Sequence, residues 1–463
     1  MRVAEFDTAA TTTVPTLEAE RLPVVCGPGV AAALAELGRT EDVHLSPDNR
    51  RLAIAGHLSN RVLVLGISVD WGGEVPHVRL HSPQPFVSHE FSYPHGLFWG
   101  SDDTLLVANR QGGVPVFRIP PPAGDATPCE LQPLLRLETA HPGLVETPGS
   151  VSARPLGCGC LDVLVCNNYT HQVTQHLVDL DGVRPGAVAG SPLLARGLDI
   201  PDGVAHSPDG RWIAVSNHNE HCVRLYDASR ALGPDAEPVA RLLGVDYPHG
   251  LRFVESSRRI LVADAGAPFV HVYTCPGGRW QGDLWHNHRL RVLDEDTFLQ
   301  GRSNPQEGGP KGLDTDLQGR LMVITNEMVP LAFFDLRPLL DRLHDSGRAG
   351  PGRAVDQPVQ DTQVWRRQVQ GLARAQRLME EQLRAQTALA EARASELTHR
   401  DALLAQQQDH LQQVERALEQ TQVALADSQR GMAELLASRS WRLMAPYRRA
   451  GRVFRRWLAR AKV

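Results

Sequence analysis

Apolar and polar residues alternate in short stretches through the first 340 residues, and from about residue 364 the apolar positions instead recur every seven. A period of two marks strands with one or both faces packed, whereas a period of seven marks a helix with one seam. The alternating stretches repeat. YPHGLFWGSDDTLLVAN from Tyr93 aligns with IPDGVAHSPDGRWIAVSN from Ile200, YPHGLRFVESSRRILVAD from Tyr247 and GPKGLDTDLQGRLMVITN from Gly309. Weaker copies are TEDVHLSPDNRRLAIAG from Thr40 and TPGSVSARPLGCGCLDVLVCNN from Thr147, which makes six starts spaced 47 to 62 residues apart.

Each copy reads as a strand, a turn such as SPDG, a second strand such as WIAVSN and a third such as CVRLYD, with a variable outer strand in the remainder. A four-stranded unit of this length cannot bury its own faces, so stacking six around an axis predicts an all-β six-bladed propeller over 41–340. After Leu336 the chain turns helix-like and loop-like, leaving the sixth blade short of an outer strand. Residues 1–40 form an N-terminal segment, and its Leu22–Gly27 stretch, LPVVCG, is expected to close that blade.

Sixfold symmetry sets blades three apart face to face. The two YPHGL copies lie 249 − 95 = 154 residues apart, so His95 and His249 are expected on opposite sides of one channel mouth, in a column with Glu41, Gly149, Asp202 and Lys311. The turns between second and third strands reach the same mouth and supply Asn109, Asn168, His171, His218, His221, Asp264 and Asn326 as ligand-binding candidates. Glu41, His95, Asp202 and His249 combine two imidazoles with two carboxylates, a donor set that holds a divalent cation (Ca, Mn or Zn) and leaves room for an activated water. Without metal, His95 or His249 beside an acid serves as a general base, and Lys311, one of only two lysines among 48 basic residues, suits an anion or carbonyl. The plainer alternative stays open: such residues hold channel water or cap backbone groups, and P-x-G makes a turn whatever its middle residue.

Net charge is −5, which excludes wholesale phosphate neutralisation and hence a nucleic-acid partner. From Arg439 to Val463 eight Arg and Lys462 give +9 with no acid, leaving −5 − 9 = −14 on the rest. Seven cysteines without paired metal-ligand spacing, and no basic-then-apolar leader at the start, point to a cytoplasmic setting.

The repeats resemble those of NHL-type propellers and of gluconolactonase or senescence-marker-type lactonases, from about Glu41 to Leu336. That resemblance implies a propeller whose inner-strand starts bind a divalent metal, with Glu41 matching the family's first-blade Glu and Asp202 its later acid. TEDVHL stands where the family has EGPxW, and His95 and His249 stand where Asn is usual.

Residues 341–363 read as a linker and 364–438 as a coiled coil. Leu383, Ala390, Leu397, Leu404, Leu411, Leu418, Leu425 and Met432 recur every seven, beside a mixed stripe of Leu372, Met379, Arg393, Arg400, Gln407 and Val414. Homo-oligomerisation through this region is expected, with a solvated single helix as the alternative. Residues 439–463 form a short basic amphipathic helix in which Trp441, Arg442, Tyr447, Arg448, Phe454 and Trp457 suit an anionic membrane surface or a protein groove. SRSWRLMAPYRR resembles the SxSWRLTxPLR element that follows coiled coils in bacterial surface-polysaccharide glycosyltransferases, implying polysaccharide-assembly enzymes as partners at the inner face of the membrane. Three functions follow: a ligand-binding or scaffolding propeller in that setting, a metal-dependent lactonase, hydrolase or lyase acting on a sugar-like substrate, or a purely structural spacer.

Overall fold

In the computed structural model, the residues described are 15–73, 75–122, 126–181, 185–304, 306–338, 408 and 411–460. Six sheets, each antiparallel over its inner three strands, follow one another along the chain, and their innermost strands begin at Thr40, Pro94, Pro148, Pro201, Pro248 and Leu313. This is the six-bladed propeller the repeats predict. Six apolar cores lie one at each seam between blades, which is why every second strand is apolar on both faces. The last seam closes the ring: Leu321, Val323 and Phe333 of blade six pack with Leu52, Ile54 and Leu63 of blade one and with Val30 and Leu37 of the helix Val30–Leu37.

The N-terminal segment closes the sixth blade differently from the expectation. Glu20 to Leu22 lies along the third strand of blade six (Ala332–Asp335): Leu22 N donates to Phe333 O at 2.8 Å, and Asp335 N donates to Glu20 O at 3.2 Å. Val24–Cys26 then adds in parallel to the outer strand of blade one (His77–Val87). Pro23 explains the handover. It has no N–H to continue the first pairing, and its carbonyl accepts from Val78 N at 2.9 Å in the next blade. Farther upstream Thr16–Glu18 adds in parallel to the outer strand of blade five.

The P-x-G repeat is not a turn but a bulged strand start. In blade two the register skips from Pro94↔Asn109 to Gly96↔Ala108, and blades one, three, four and five skip at the same place. A bulge leaves one residue unpaired and re-aims its side chain, here toward the axis. Glycine follows because the next blade's backbone occupies the Cβ position: a Cβ on Gly203 would lie 2.2 Å from His249 O, and one on Gly312 2.7 Å from Asp42 Cα. Blades one and three have Asp42 and Ser150 instead, and the Asp42 carboxylate accepts from Leu97 N at 2.9 Å in blade two.

A second unit holds C-terminal helices, described by itself: one over residues 411–437, then Arg439–Leu443 and Ala445–Arg460. Ser438 caps the second by accepting from Trp441 N at 3.2 Å. Leu411, Val414, Leu418, Leu425 and Met432 are all exposed along the first helix. The heptad positions upstream of residue 408 and the 341–363 linker lie outside the described residues. Among the described residues, no helix is long and apolar enough to cross a membrane.

Candidate functional site

The bulged positions converge on the axis as the sixfold reading requires. Glu41, His95, Asp202, His249 and Lys311 are all buried, and His95 faces His249 with ring centroids 6.5 Å apart. Gly149 contributes no side chain. A Cβ there would lie 2.0 Å from Asn168 Oδ1, so Asn168 enters from the second-to-third-strand turn of blade three and takes the vacant place.

The ring divides into two halves joined by Glu307, a residue that no repeat position signals. In one half Lys311 Nζ lies 3.2 Å from Glu41 Oε2 and 2.9 Å from Glu307 Oε2, while Arg39 binds the other Glu41 oxygen. In the other half His249 Nδ1 donates to Asp202 Oδ2 at 2.9 Å, and its Nε2 lies 3.5 Å from Glu307 Oε1. His218 Nε2 stands 3.7 Å from that same Glu307 oxygen, and Asn168 Nδ2 donates to Asp202 Oδ1 at 2.7 Å. Below the ring a funnel of about 330 Å³, counting its part open to solvent, is lined by Asp42, Ser150 and Arg252 together with the ring itself.

These neighbours set the charges. Burial pushes the His249 imidazolium down, but Asp202 and Glu307 overcome it and raise its pKa to about 10. His95 has the opposite fate: burial, then the Arg110 charge, lower its pKa to about 3, and its Nδ1 donates to Gly149 O at 2.7 Å. His218 falls to about 4 through burial and the His249 charge. Burial alone would raise Glu41 and Glu307, yet Lys311 beside both, with His95 at Glu41 and His249 at Glu307, holds each well below the usual carboxylate range. Lys311 is raised because the two carboxylates outweigh its burial.

Two expectations change as a result. Lys311 is neutralised by Glu41 and Glu307 and is not a free cation awaiting an anion. The four metal candidates do not meet as a single set. Instead Asp202, His218 and His249 bring ligand atoms within 4.8 Å of one another. Those three suit a divalent cation by donor type, provided His249 sheds the proton it shares with Asp202.

Of the other mouth candidates, Asn168 and His218 join the ring and the rest do structural work. Asn109 is buried, accepting from Ser92 N at 3.0 Å and donating to Gly113 O at 3.2 Å. Asn167 and Asn217 repeat that pattern, and Asp264 accepts from Asp246 N and Tyr247 N, both at 2.9 Å. Asn326 donates to Gly308 O at 2.7 Å and Gly309 O at 2.8 Å. The repeated polar residue that ends the second strand therefore pins the loop leading into its own blade. His171 and His221 are exposed and reach the next blade, at Ile200 N (3.0 Å) and at the Asp246 carbonyl. The backbone turns left-handed at Tyr93 (φ 57), Thr147 (φ 49) and Ile200 (φ 50), just before three of the bulges; for a β-branched Ile that is strained geometry stored at the mouth.

In the tail, Arg448 stacks on Trp441 with its guanidinium carbon 3.8 Å from the ring centroid, and Tyr447 and Phe454 are exposed. The Trp457 side chain lies outside the described residues.

The family described as the lipoprotein LpqB beta-propeller domain matches residues 6–144, which span blades one and two. No curated protein matches the chain. Among solved structures, regucalcin from Agrobacterium tumefaciens, a calcium-binding protein, is 15% identical with a TM-score of 0.41, covering 68% of this chain and 95% of that one. A functionally unknown protein from Desulfotomaculum acetoxidans is 12% identical with a TM-score of 0.41, covering 64% of this chain and 82% of that one. By its own six sheets the chain is a six-bladed β-propeller followed in sequence by C-terminal helices, with a buried charged ring where its blades meet.

Proposed function

We propose that this is a ligand-binding propeller, self-associating through its heptad helix and held at an anionic membrane surface by its tail, in the service of surface-polysaccharide assembly. One observation carries the binding part. His57 Nδ1, Arg110 Nη1, Asn168 Oδ1 and His218 Nδ1 are buried without a hydrogen-bond partner, all on residues around one mouth. Buried polar atoms are normally satisfied, and a cluster of exceptions marks a place where something polar sits. The exposed seam from Leu411 to Met432 supports self-association, since a helix so polar elsewhere gains most by pairing. Tyr447, Ala450 and Phe454 share one face of a helix whose charged residues are all Arg, which supports the membrane part. The likeness of SRSWRLMAPYRR to the glycosyltransferase element supports the polysaccharide setting. Vesicle flotation of the full chain tests it: association with vesicles containing phosphatidylglycerol but not with pure phosphatidylcholine, lost in Arg448→Glu/Arg449→Glu, is expected. Equal flotation with both would overturn the membrane role.

A second reading, a metal-dependent hydrolase or lyase, is favoured by the Asp202, His218 and His249 cluster. A cation bound there supplies an acidified water. The chain's own contribution would be Asp202 and the two imidazoles as ligands, with Glu307 beside them. Elemental analysis decides: stoichiometric metal in the purified protein, lost in His218→Ala, supports this reading, and its absence after dialysis against zinc, manganese or calcium removes it.

A further inference from the structure

The unpartnered atoms are richest in meaning on one flank of the mouth, where blades two and three meet. Arg110 and Asn168 follow the second strands of these blades, and both are carried on anchored backbone: Arg110 N donates to Tyr93 O at 2.9 Å and Asn168 N to Thr147 O at 3.2 Å. Their side chains approach the same carboxylate oxygen, Asp202 Oδ1, but unequally. Asn168 Nδ2 binds it at 2.7 Å, whereas Arg110 Nη1 stops at 3.8 Å and makes no hydrogen bond. Asp202 already serves His249 through its other oxygen at 2.9 Å, so its charge is largely spent before the guanidinium arrives. A guanidinium held near the mouth with an idle nitrogen is built to receive a second oxyanion, which its planar fork binds bidentately.

Beside it Asn168 is fully buried. Its amide nitrogen is committed to Asp202, but its oxygen accepts nothing. An idle buried carbonyl oxygen needs a hydroxyl or N–H donor. Gly149 keeps that oxygen in place, since a Cβ at 149 would lie 2.0 Å from it. The third member is Tyr169, 60% exposed, whose ring lies under the Arg110 guanidinium at 5.6 Å.

We propose that Arg110, Asn168 and Tyr169 form a subsite for a pyranose ring bearing a carboxylate: Arg110 takes the carboxylate, Asn168 Oδ1 takes a ring hydroxyl, and Tyr169 stacks on the sugar. The assignment rests on the mouth being a ligand site and names the class of ligand. It does not depend on the tail.

Calorimetric titration of the full chain with D-glucuronate tests the subsite, with D-glucose as the matched neutral sugar and an oligomer of the same acid as a third arm. Saturable binding of glucuronate is expected, at least about tenfold tighter than of glucose. Arg110→Gln should lose about tenfold or more, and Arg110→Lys should fall between, because charge remains while the fork is gone. Thermal melts of both variants should still show one cooperative transition, and Arg110→Lys, which keeps a charge beside Asp202, should melt close to the unmodified chain, so that its loss of affinity reads binding and not unfolding. Tighter binding of the oligomer assigns the acid to a glycan chain, and preference for the monomer assigns it to a free sugar acid; both outcomes support the subsite. Equal affinity for glucose and glucuronate, or undiminished affinity in Arg110→Gln, overturns the carboxylate assignment and leaves the mouth a ligand site. No saturable binding in any arm overturns the subsite, and a failed flotation assay leaves it standing.

Discussion

His95 and His249, the central residues of two identical pentapeptides, face each other across the axis at 6.5 Å, and their neighbours drive them to opposite protonation states. His95 looks at a backbone carbonyl and the Arg110 charge, whereas His249 lies between Asp202 and Glu307. Sequence identity at a position does not fix its chemistry when the partners come from other blades.

NMR titration of the imidazole C–H signals should therefore show His249 protonated at neutral pH and losing its proton only near 10, and His95 neutral until about 3. For His249 the folded value lies above the unfolded one of about 6.5, so its stabilisation is complete below that pH and is lost as pH rises through about 10. For His95 the folded value lies below, so its contribution is present above about 6.5 and is lost as pH falls toward 3. Two signals titrating together near 6.5 would contradict the ring geometry.

The bulge glycines should be intolerant of a methyl group. Gly203→Ala places a Cβ 2.2 Å from the His249 carbonyl, and urea unfolding should show a loss of about 1–3 kcal/mol. Gly233→Ala, where nothing lies within 4 Å, should change stability by no more than about 0.5 kcal/mol. Similar small effects at both sites would mean the blades do not touch at their inner strands.

Asn109→Ala should cost about 1–3 kcal/mol, because Ser92 N loses its partner and Gly113 O keeps only the Asn109 backbone N–H. Calorimetry should find its affinity for any mouth ligand unchanged. Ligand binding lost at unchanged stability would restore the reading of Asn109 as a mouth contact.

The repeat, the blade count and the column of axial residues were legible in the sequence because backbone geometry imposes them on every blade. Glu307 was not legible, since it reaches the ring from a loop with no equivalent in the other copies; Arg39 and Arg110 stand at repeat positions, before the first strand and after the second, but the residue there differs from blade to blade. The Asn residues ending the second strands misled for a related reason, since a polar residue that pins a loop and one that meets a ligand look alike in sequence and differ only in burial. Gly149 hid a ring member, because the side chain filling its place belongs to Asn168, nineteen residues downstream. The path of the N-terminus turned on Pro23, whose missing N–H matters only once the partner strands are known.

The central claim is that closing the ring brings charges from the first and last blades to one buried point. A double-mutant cycle on Glu41 and Lys311, 270 residues apart in sequence and 3.2 Å apart in space, tests it most directly. Lys311→Met alone should cost about 3–5 kcal/mol by stranding two buried carboxylates. Combined with Glu41→Gln, unfolding free energies should depart from additivity by at least about 1 kcal/mol; additivity within about 0.3–0.5 kcal/mol would contradict the account.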